Sequence, residues 1–333
     1  MSHRIWRFFK KLLIGVGVLL VLLVFAIGFL AWYGSRISDE PTMTVHDLAI
    51  AKELPSDFID LPPTLLEIKG APGERRQYRM STGLVMVANE SNEQTFSFKN
   101  ITSLAFANDV LSVSRFGQIE METVFLDLQA MTLIDNEPVL MYDSRVSDKD
   151  QLVDAGQRAE FEKMLRTVAI SVHGPTGNIA DVYFEDENGE PIEDPKTIDW
   201  AEQLAMKEQI LLPDYPVSVG DQWAMATQIV PLGALGRAER NYNAELIGFA
   251  RRGGELLAVI GGNVELSLVE SPEMASTGRL LGYDGAAAIL FSVDRGIILK
   301  SEEQFTMTYE SEQPEGPVVV TGFFTATVEL TKE

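Results

Sequence analysis

The sequence predicts an α+β protein in which a single N-terminal transmembrane helix precedes a mainly antiparallel β-sheet. Two further helices interrupt the strands of this sheet along the chain. Three observations indicate this fold class. One run of 23 residues, Leu12–Gly34, contains no charged side chain. From Arg76 onward, apolar and polar residues alternate with the period of two that is typical of strands. Two further stretches, 148–166 and 195–211, repeat their apolar residues at helical spacing.

The apolar run Leu12–Gly34 is long enough to cross a bilayer. At a rise of about 1.5 Å per residue it spans about 34 Å, against a hydrocarbon core about 30 Å thick. The preceding segment, residues 1–11, contains basic residues and no acidic one, which indicates a cytoplasmic tail and a main domain outside the cytoplasm. The alternative is a cleavable signal peptide, but the run is longer than such peptides use and ends in a poor cleavage context. We therefore expect an uncleaved signal anchor.

Residues 35–73 predict a stalk between the membrane and the folded domain, because prolines recur along it and break any long element. Thr44 and Asp47 have the spacing of a capping box, so a short helix is expected over Val45–Glu53. One exported domain, residues 74–333, is expected to follow this stalk.

Within the exported domain, the run Val110–Leu126 alternates as a long strand with one solvated face would. Ser147 and Asp150 have capping-box spacing before the first of the two helices, and an Asp-Pro pair opens the second. Residues 213–223 predict a joint rich in proline and glycine. The chain after this joint is expected to be almost entirely strand.

Three fragments occur in the order EPVLMYDSRVSD, LPDYPVSVGDQW and DRGIILKSEEQFTMT. With these fragments the chain resembles an uncharacterised family of bacterial envelope proteins, over residues 77–329. The residues that match the short motifs of the family are Tyr142, Asp143, Ser144, Pro216, Val219, Gly220, Asp221 and Trp223. The resemblance implies a strongly curved sheet, a half-barrel like that of lipoprotein carriers, wrapped around the two helices. It implies no activity, because the family has none known.

Topology and resemblance together predict a single-pass protein of the bacterial inner (cytoplasmic) membrane, with a cytoplasmic N-terminus and a periplasmic main domain. The lipid bilayer is then an expected partner, contacted through Leu12–Gly34. The chain carries 49 acidic and 27 basic residues, a formal net charge of −22. Such a charge repels nucleic acid and favours a basic protein partner, although a well-solvated surface is the simpler explanation.

No constellation of residues identifies a reaction. The chain has no cysteine, no nucleophile elbow, no Walker loop and no dinucleotide fingerprint. His173 is the one histidine in the predicted domain, which excludes a two-histidine metal site there. The acidic run Glu185–Asp194 fails the EF-hand test, since Gly189 at the sixth position puts Phe184 and Pro195 at ligand positions. We predict no catalytic residue, no metal site and no cofactor, while a hydrolase built on two carboxylates stays open.

The leading functional hypothesis is a non-enzymatic binding module anchored in the membrane. Apolar clefts with few polar groups are the usual ligand sites, and a sheet curved around helices leaves such a groove. Lipid or another apolar ligand is expected on an inner face that carries Tyr142, Trp223, Phe249, Phe291 and Phe305. Each of these side chains also suits a filled core. The alternative is a structural or accessory subunit of a membrane complex that engages a basic partner through its acidic surface.

Overall fold

The computed structural model of the chain describes residues 43–55, 57–90, 93–146, 151–192, 211–225, 228–231, 237–268, 278–313 and 316–332. All of these residues belong to one compact unit, Met43–Glu333. The predicted tail 1–11 and the predicted transmembrane helix Leu12–Gly34 lie outside the described residues. The same holds for the second predicted helix, 195–211, except for its last residue.

The predicted antiparallel sheet is confirmed. The described residues form a sheet of thirteen strands, and their pairings are antiparallel. The strands are β1 (Arg75–Glu90), β2 (Glu93–Val113), β3 (Ile119–Ile134), β4 (Glu137–Asp143), β5 (Val168–His173), β6 (Ile179–Glu185), β7 (Gln222–Ala224), β8 (Gln228–Pro231), β9 (Arg237–Arg252), β10 (Glu255–Leu268), β11 (Gly278–Ser292), β12 (Ile297–Gln313) and β13 (Gly316–Lys332).

Two meanders meet in the middle of this sheet. The strand order is β6-β5-β3-β2-β1-β13-β12-β11-β10-β9-β7, while β4 pairs with β3 and β8 pairs with β9. The meanders join where β1 pairs with β13, in a register that runs from Gln77 opposite Lys332 to Asn89 opposite Val319. The first and last strands of the described chain are therefore neighbours in the centre of the sheet.

One face of the sheet, which we call the core face, carries most of the buried side chains. Side chains alternate between the two faces of a strand, so register partners share a face. One row of partners crosses seven strands on the core face, through Leu104, Met80, Val328, Ser301, Ile289, Ile260 and Leu246. Every member of this row except Ser301 is a buried apolar residue. The opposite face is called the outer face below.

Residues 43–54 pack on the outer face of the second meander. Leu48 and Ile50 are buried there against β11. The carboxylate of Glu302 accepts hydrogen bonds from the backbone N–H groups of Ala49 and Ile50, at 3.0 and 2.6 Å. A buried acidic side chain of β12 thus anchors the segment to the sheet.

Two short 3-10 helices, Val45–Asp47 and Ala49–Lys52, stand where the sequence predicts one helix over Val45–Glu53. Between them Leu48 has an extended backbone, with a ψ of 150°. The physical reason is the spacing of the buried residues. Leu48 and Ile50 both face the sheet, and residues two apart on a continuous helix would point in different directions.

Residues 57–73, which we call the strap, pass from the outer face to the core face beside strand β9. Ile59 pairs with Phe249 of β9. Leu66 is fully buried in the core cluster of the second meander. The backbone N–H of Lys69 then donates to a carbonyl in the turn between β11 and β12, at 3.0 Å. This part of the predicted stalk is therefore integral to the folded unit.

The predicted α+β class, a sheet wrapped around two helices, is wrong. The described residues are mainly strand and contain a single α-helix, α1 (Ala155–Leu165), which lies within the predicted span 148–166. It begins at Asp154, not at Ser147, because the carboxylate of Asp154 accepts a hydrogen bond from the backbone N–H of Gln157 at 2.8 Å. The helix packs on the core face of the first meander, where Met164 lies in one cluster with Leu104 and Leu128.

Extended segments cover the core face of the second meander, where a helix was expected from the sequence. Leu66 of the strap joins Leu212 and Val217 in the core cluster over β9, β10 and β11. Thr64 and Val217 exchange backbone hydrogen bonds of 2.9 Å. Pairing of this kind satisfies buried backbone groups without a helix, which is the physical reason for the correction.

The predicted single-pass location in a bacterial inner membrane is also corrected. Among the helices of the described residues, none has both the length and the apolar character that a bilayer crossing requires. The prediction depended on Leu12–Gly34, which lies outside the described residues.

Replacing Leu66 by alanine tests whether the strap belongs to the core. Because Leu66 is fully buried, Leu66→Ala should lower the free energy of unfolding by about 2–5 kcal/mol. Leu65 is 41% exposed, so Leu65→Ala is the matched control and should change it by less than about 0.5 kcal/mol. Urea denaturation measures both variants. Equal stabilities would contradict the described packing of the strap.

Candidate functional site

The core face holds two adjacent recesses that the described side chains leave unfilled. Their volumes are about 110 Å³ for the first and about 90 Å³ for the second. Both recesses are lined by Ile289, Ser301 and Val328, which are register partners on β11, β12 and β13. The two recesses therefore adjoin along this row, and we call the pair the trough.

The first recess lies where the two meanders meet. The first meander and the strap supply Ile68, Arg76, Tyr78, Asn108, Met121, His173 and Gly177, and the second meander supplies Ile289, Gly296, Ile297, Ile298, Ser301 and Val328. Since both meanders contribute to its walls, this recess depends on the pairing of β1 with β13.

The second recess owes its space to small residues. Ala287 and Ala326 flank Glu303 as its register partners in β11 and β13, and Gly262 of β10 is the partner of Ala287. A side chain at Gly262 would collide with the carbonyl oxygen of Asn243. The full lining is Met80, Met225, Arg240, Tyr242, Val264, Ala287, Ile289, Ser301, Glu302, Glu303, Phe324, Ala326 and Val328.

Three of the polar side chains that line the second recess are fixed by contacts within it. Arg240 and Glu303 form an ion pair of 2.5 Å between Nη1 and Oε2, with 12% and 15% of their side chains exposed. The hydroxyl of Tyr242 donates to the carbonyl of Ala287 at 3.3 Å. Burial, reinforced by the charge of Glu303, raises the pKa of Tyr242, so this hydroxyl stays protonated. Apolar walls with a few oriented polar groups are typical of ligand sites.

His173 lines the first recess as a neutral imidazole. Its Nε2 lies 2.8 Å from the hydroxyl oxygen of Ser171. Burial lowers the pKa of His173 to about 4, so the ring carries no charge near neutral pH. The guanidinium of Arg76 beside this recess donates to Glu74 at 2.8 Å. At this end of the trough, the positive charge of Arg76 is therefore balanced by the negative charge of Glu74.

The register places the five predicted site residues on the core face, but two of them belong to the packed core. Phe249 and Phe291 are fully buried in the cluster that also contains Leu246 and Leu66. Neither ring lines the trough. In this region the core is filled by its own side chains.

Tyr142 lies beside α1, where its ring centroid is 4.7 Å from that of Phe161. The next two residues of its fragment hold β4 against β3. Asp143 accepts a hydrogen bond of 2.7 Å from a glutamine side chain of β3, and Ser144 Oγ accepts one of 3.0 Å from the backbone N–H of Leu128. The structure thus gives the Tyr-Asp-Ser fragment a structural role.

Trp223 stabilises the joint that leads into the second meander. Its indole N–H donates to the carbonyl of Leu211 at 2.8 Å, and its ring packs against the core cluster. Gly220 has a φ of +89°, which favours glycine. Asp221 accepts a hydrogen bond of 2.7 Å from the backbone N–H of Ser218. These contacts explain the Val-Gly-Asp-x-Trp fragment as a turn that delivers the chain to the edge of β9.

Phe305 adjoins the trough without lining it. Its ring stacks on that of Phe324 at a centroid distance of 4.6 Å, and Phe324 forms part of the second recess. Phe305 therefore packs against a residue of the trough wall on the same face of the sheet.

Four polar residues of the trough were not predicted from the sequence, namely Ser301, Glu303, Arg240 and Tyr242. One signal was available in the fragment SEEQFTMT. Ser301 and Glu303 are in phase with Phe305 and Met307, both buried, so a period of two puts a carboxylate on the core face. The pairing of Glu303 with β9 has no local signal, because β10 and β11 lie between the two strands.

The described part of the acidic run, residues 185–192, forms a hairpin turn. Asp186 accepts backbone hydrogen bonds from Glu190 at 3.0 Å and from Asn188 at 2.8 Å, and these bonds lower the pKa of Asp186. Gly189 takes a φ of +79° within this turn. Within the described ranges, no three acidic or histidine side chains are grouped as metal ligands.

No protein-family model matches the chain, and no curated protein matches it. Among solved structures, it is similar to lipovitellin, described for its lipid–protein interactions, with a TM-score of 0.43 and 11% identity over 79% of this chain. This chain spans 25% of that lipovitellin chain. The resemblance to an envelope family therefore stays a prediction.

Two further solved structures show weaker similarity. DynF from the dynemicin biosynthesis pathway of Micromonospora chersina has a TM-score of 0.20 and 5% identity, covering 84% of this chain and 90% of its own. An outer membrane channel from Pseudomonas putida F1 has a TM-score of 0.18 and 6% identity, covering 84% and 99%. At these TM-scores, the three similarities support no argument about ligand or function.

The buried His173 predicts a loss of stability in mild acid. Its pKa of about 4 in the folded chain lies below the ordinary 6.5, so between these values the unfolded chain binds more protons. The contribution of His173 is full above pH 6.5 and is lost as the pH falls toward 4. Between pH 7.5 and pH 5, the wild type should lose about 2 kcal/mol more of its free energy of unfolding than His173→Gln. Urea denaturation at both pH values measures the free energy of unfolding of each protein. Equal losses in the wild type and in His173→Gln would show that the pKa of His173 is not lowered.

Proposed function

We propose that the protein binds an apolar ligand and that one alkyl chain lies lengthwise in the trough. The observation that carries this proposal is the pair of adjoining recesses on the core face, both lined by Ile289, Ser301 and Val328. A cavity of about 150 Å³ with apolar walls can stay dry and take up a molecule such as benzene. The two recesses together offer such a volume.

The dimensions of the trough favour a thin ligand. Sites for drug-sized molecules have volumes of about 300–1,000 Å³, whereas each recess has about 100 Å³. A single row of methylene groups suits this narrow space better than a fused ring system. We propose binding without catalysis, and a hydrolase built on two carboxylates remains a prediction from sequence. The basic protein partner likewise remains a prediction from the net charge of −22.

A chain-length series of n-alkanols tests the proposal. Burial of each methylene group contributes about 0.8 kcal/mol, so the Kd should fall about fourfold per added carbon. The fall should stop once the chain fills the trough. Isothermal titration calorimetry measures each Kd, and native mass spectrometry gives the stoichiometry. Absence of saturable binding for every chain length would overturn the proposal.

Ser301 allows a test by obstruction. It lines both recesses, so Ser301→Leu should separate them and weaken binding of the longest alkanol by about tenfold or more. The matched control is Ser81→Leu, since Ser81 lies on the outer face of β1 and should leave the Kd unchanged. Thermal unfolding of both variants checks that they fold. Equal binding by the two variants would place the alkanol elsewhere.

A further inference from the structure

Glu303 is a charged residue in a position where the sheet otherwise buries apolar side chains. Its register partners on β11 and β13 are Ala287 and Ala326, which leave space beside the carboxylate. Fifteen per cent of the Glu303 side chain is exposed, and Oε2 is paired with Arg240. The carboxylate therefore lies at the wall of the second recess, on the core face of the sheet.

The second oxygen of this carboxylate is an unused hydrogen-bond acceptor. Oε1 of Glu303 is buried and accepts no hydrogen bond from the described residues. Buried acceptors without a donor are rare in folded proteins, because desolvation is then uncompensated. A donor that enters the trough would compensate it.

The hydroxyl of Tyr242, which lines the same recess, is already engaged. Tyr242 OH donates to the carbonyl of Ala287, and burial with the charge of Glu303 raises the pKa of Tyr242, so it remains a neutral donor to that carbonyl. Gln304 follows Glu303 on β12, and its side-chain amide donates a hydrogen bond to Glu302. Neither group is directed to Oε1 of Glu303.

We infer that the alkyl ligand carries a neutral hydroxyl group, whose O–H donates to Oε1 of Glu303 while the chain lies along the trough. This inference rests on the proposed function. An anionic head group would face the carboxylate in a desolvated site, where like charges repel. A cationic head group has less reason to bind, since the guanidinium of Arg240 already balances the charge of Glu303.

The experiment compares two ligands of equal size that differ in one donor. 1-Dodecanol has an O–H group, whereas methyl undecyl ether has the same number of heavy atoms and accepts hydrogen bonds only. The wild type should bind the alcohol about tenfold or more tightly than the ether, because the ether leaves Oε1 of Glu303 unpaired. Dodecanoate at pH 8 should bind more weakly than the alcohol.

Glu303→Gln tests the assignment of the acceptor. The glutamine amide keeps an oxygen for Arg240 and presents an N–H group to the trough, which both the ether and the alcohol can accept. The alcohol-to-ether preference should therefore fall to about one. Glu310→Gln is the matched control, since Glu310 lies on the outer face of the same strand. It should keep the wild-type preference.

The outcomes separate the two proposals. If neither dodecyl ligand binds the wild type, the alkyl-binding function itself fails. If both bind equally, the function stands, and the hydroxyl assignment is overturned because water satisfies Glu303. The wild-type preference decides this without any variant. If Glu303→Gln is folded by thermal unfolding and keeps the wild-type preference, another residue recognises the hydroxyl and the assignment to Glu303 is overturned.

Discussion

The pairing of β1 with β13 is the interaction on which the rest of the structure depends. Without it, each meander would expose an edge strand with unpaired backbone groups, a template for association with other chains. The row of buried partners on the core face would also end between Met80 and Val328. One pairing therefore removes two edges, unites the core and completes the walls of the first recess.

The two parts of the core face differ in how completely they are packed. Under the strap, Leu66, Phe249 and Phe291 fill the space. Along β12 and β13, the positions of Ser301 and Glu303 interrupt the apolar row and leave the trough. A polar residue in a core position breaks the local pattern that stabilises a sheet, and such departures concentrate at functional sites. The ion pair with Arg240 compensates the charge but does not fill the volume.

The local periodicity of the sequence was a good guide to strands and a poor guide to their limits. The run Val110–Leu126 alternates as one strand, but it contains the end of β2, a turn with Gly117 at a φ of +77°, and the start of β3. Pairing between β1 and β13 has no local signature, so the core face could not be derived. The five aromatic residues were expected on the inner face, where large apolar side chains also suit a filled core. The trough is formed by small and polar residues instead, which only the register reveals.

The strap and residues 43–54 pack against strands that are synthesised much later than they are. Leu48 and Leu66 lack their contacts with the sheet until β9 to β12 have emerged. One edge of β1 likewise stays unpaired until β13 has emerged. Contacts between residues so distant in sequence slow folding, because the loop-closure entropy must be lost before the contacts form. During synthesis the N-terminal apolar side chains therefore remain exposed, and the nascent chain is prone to aggregation until β13 has emerged.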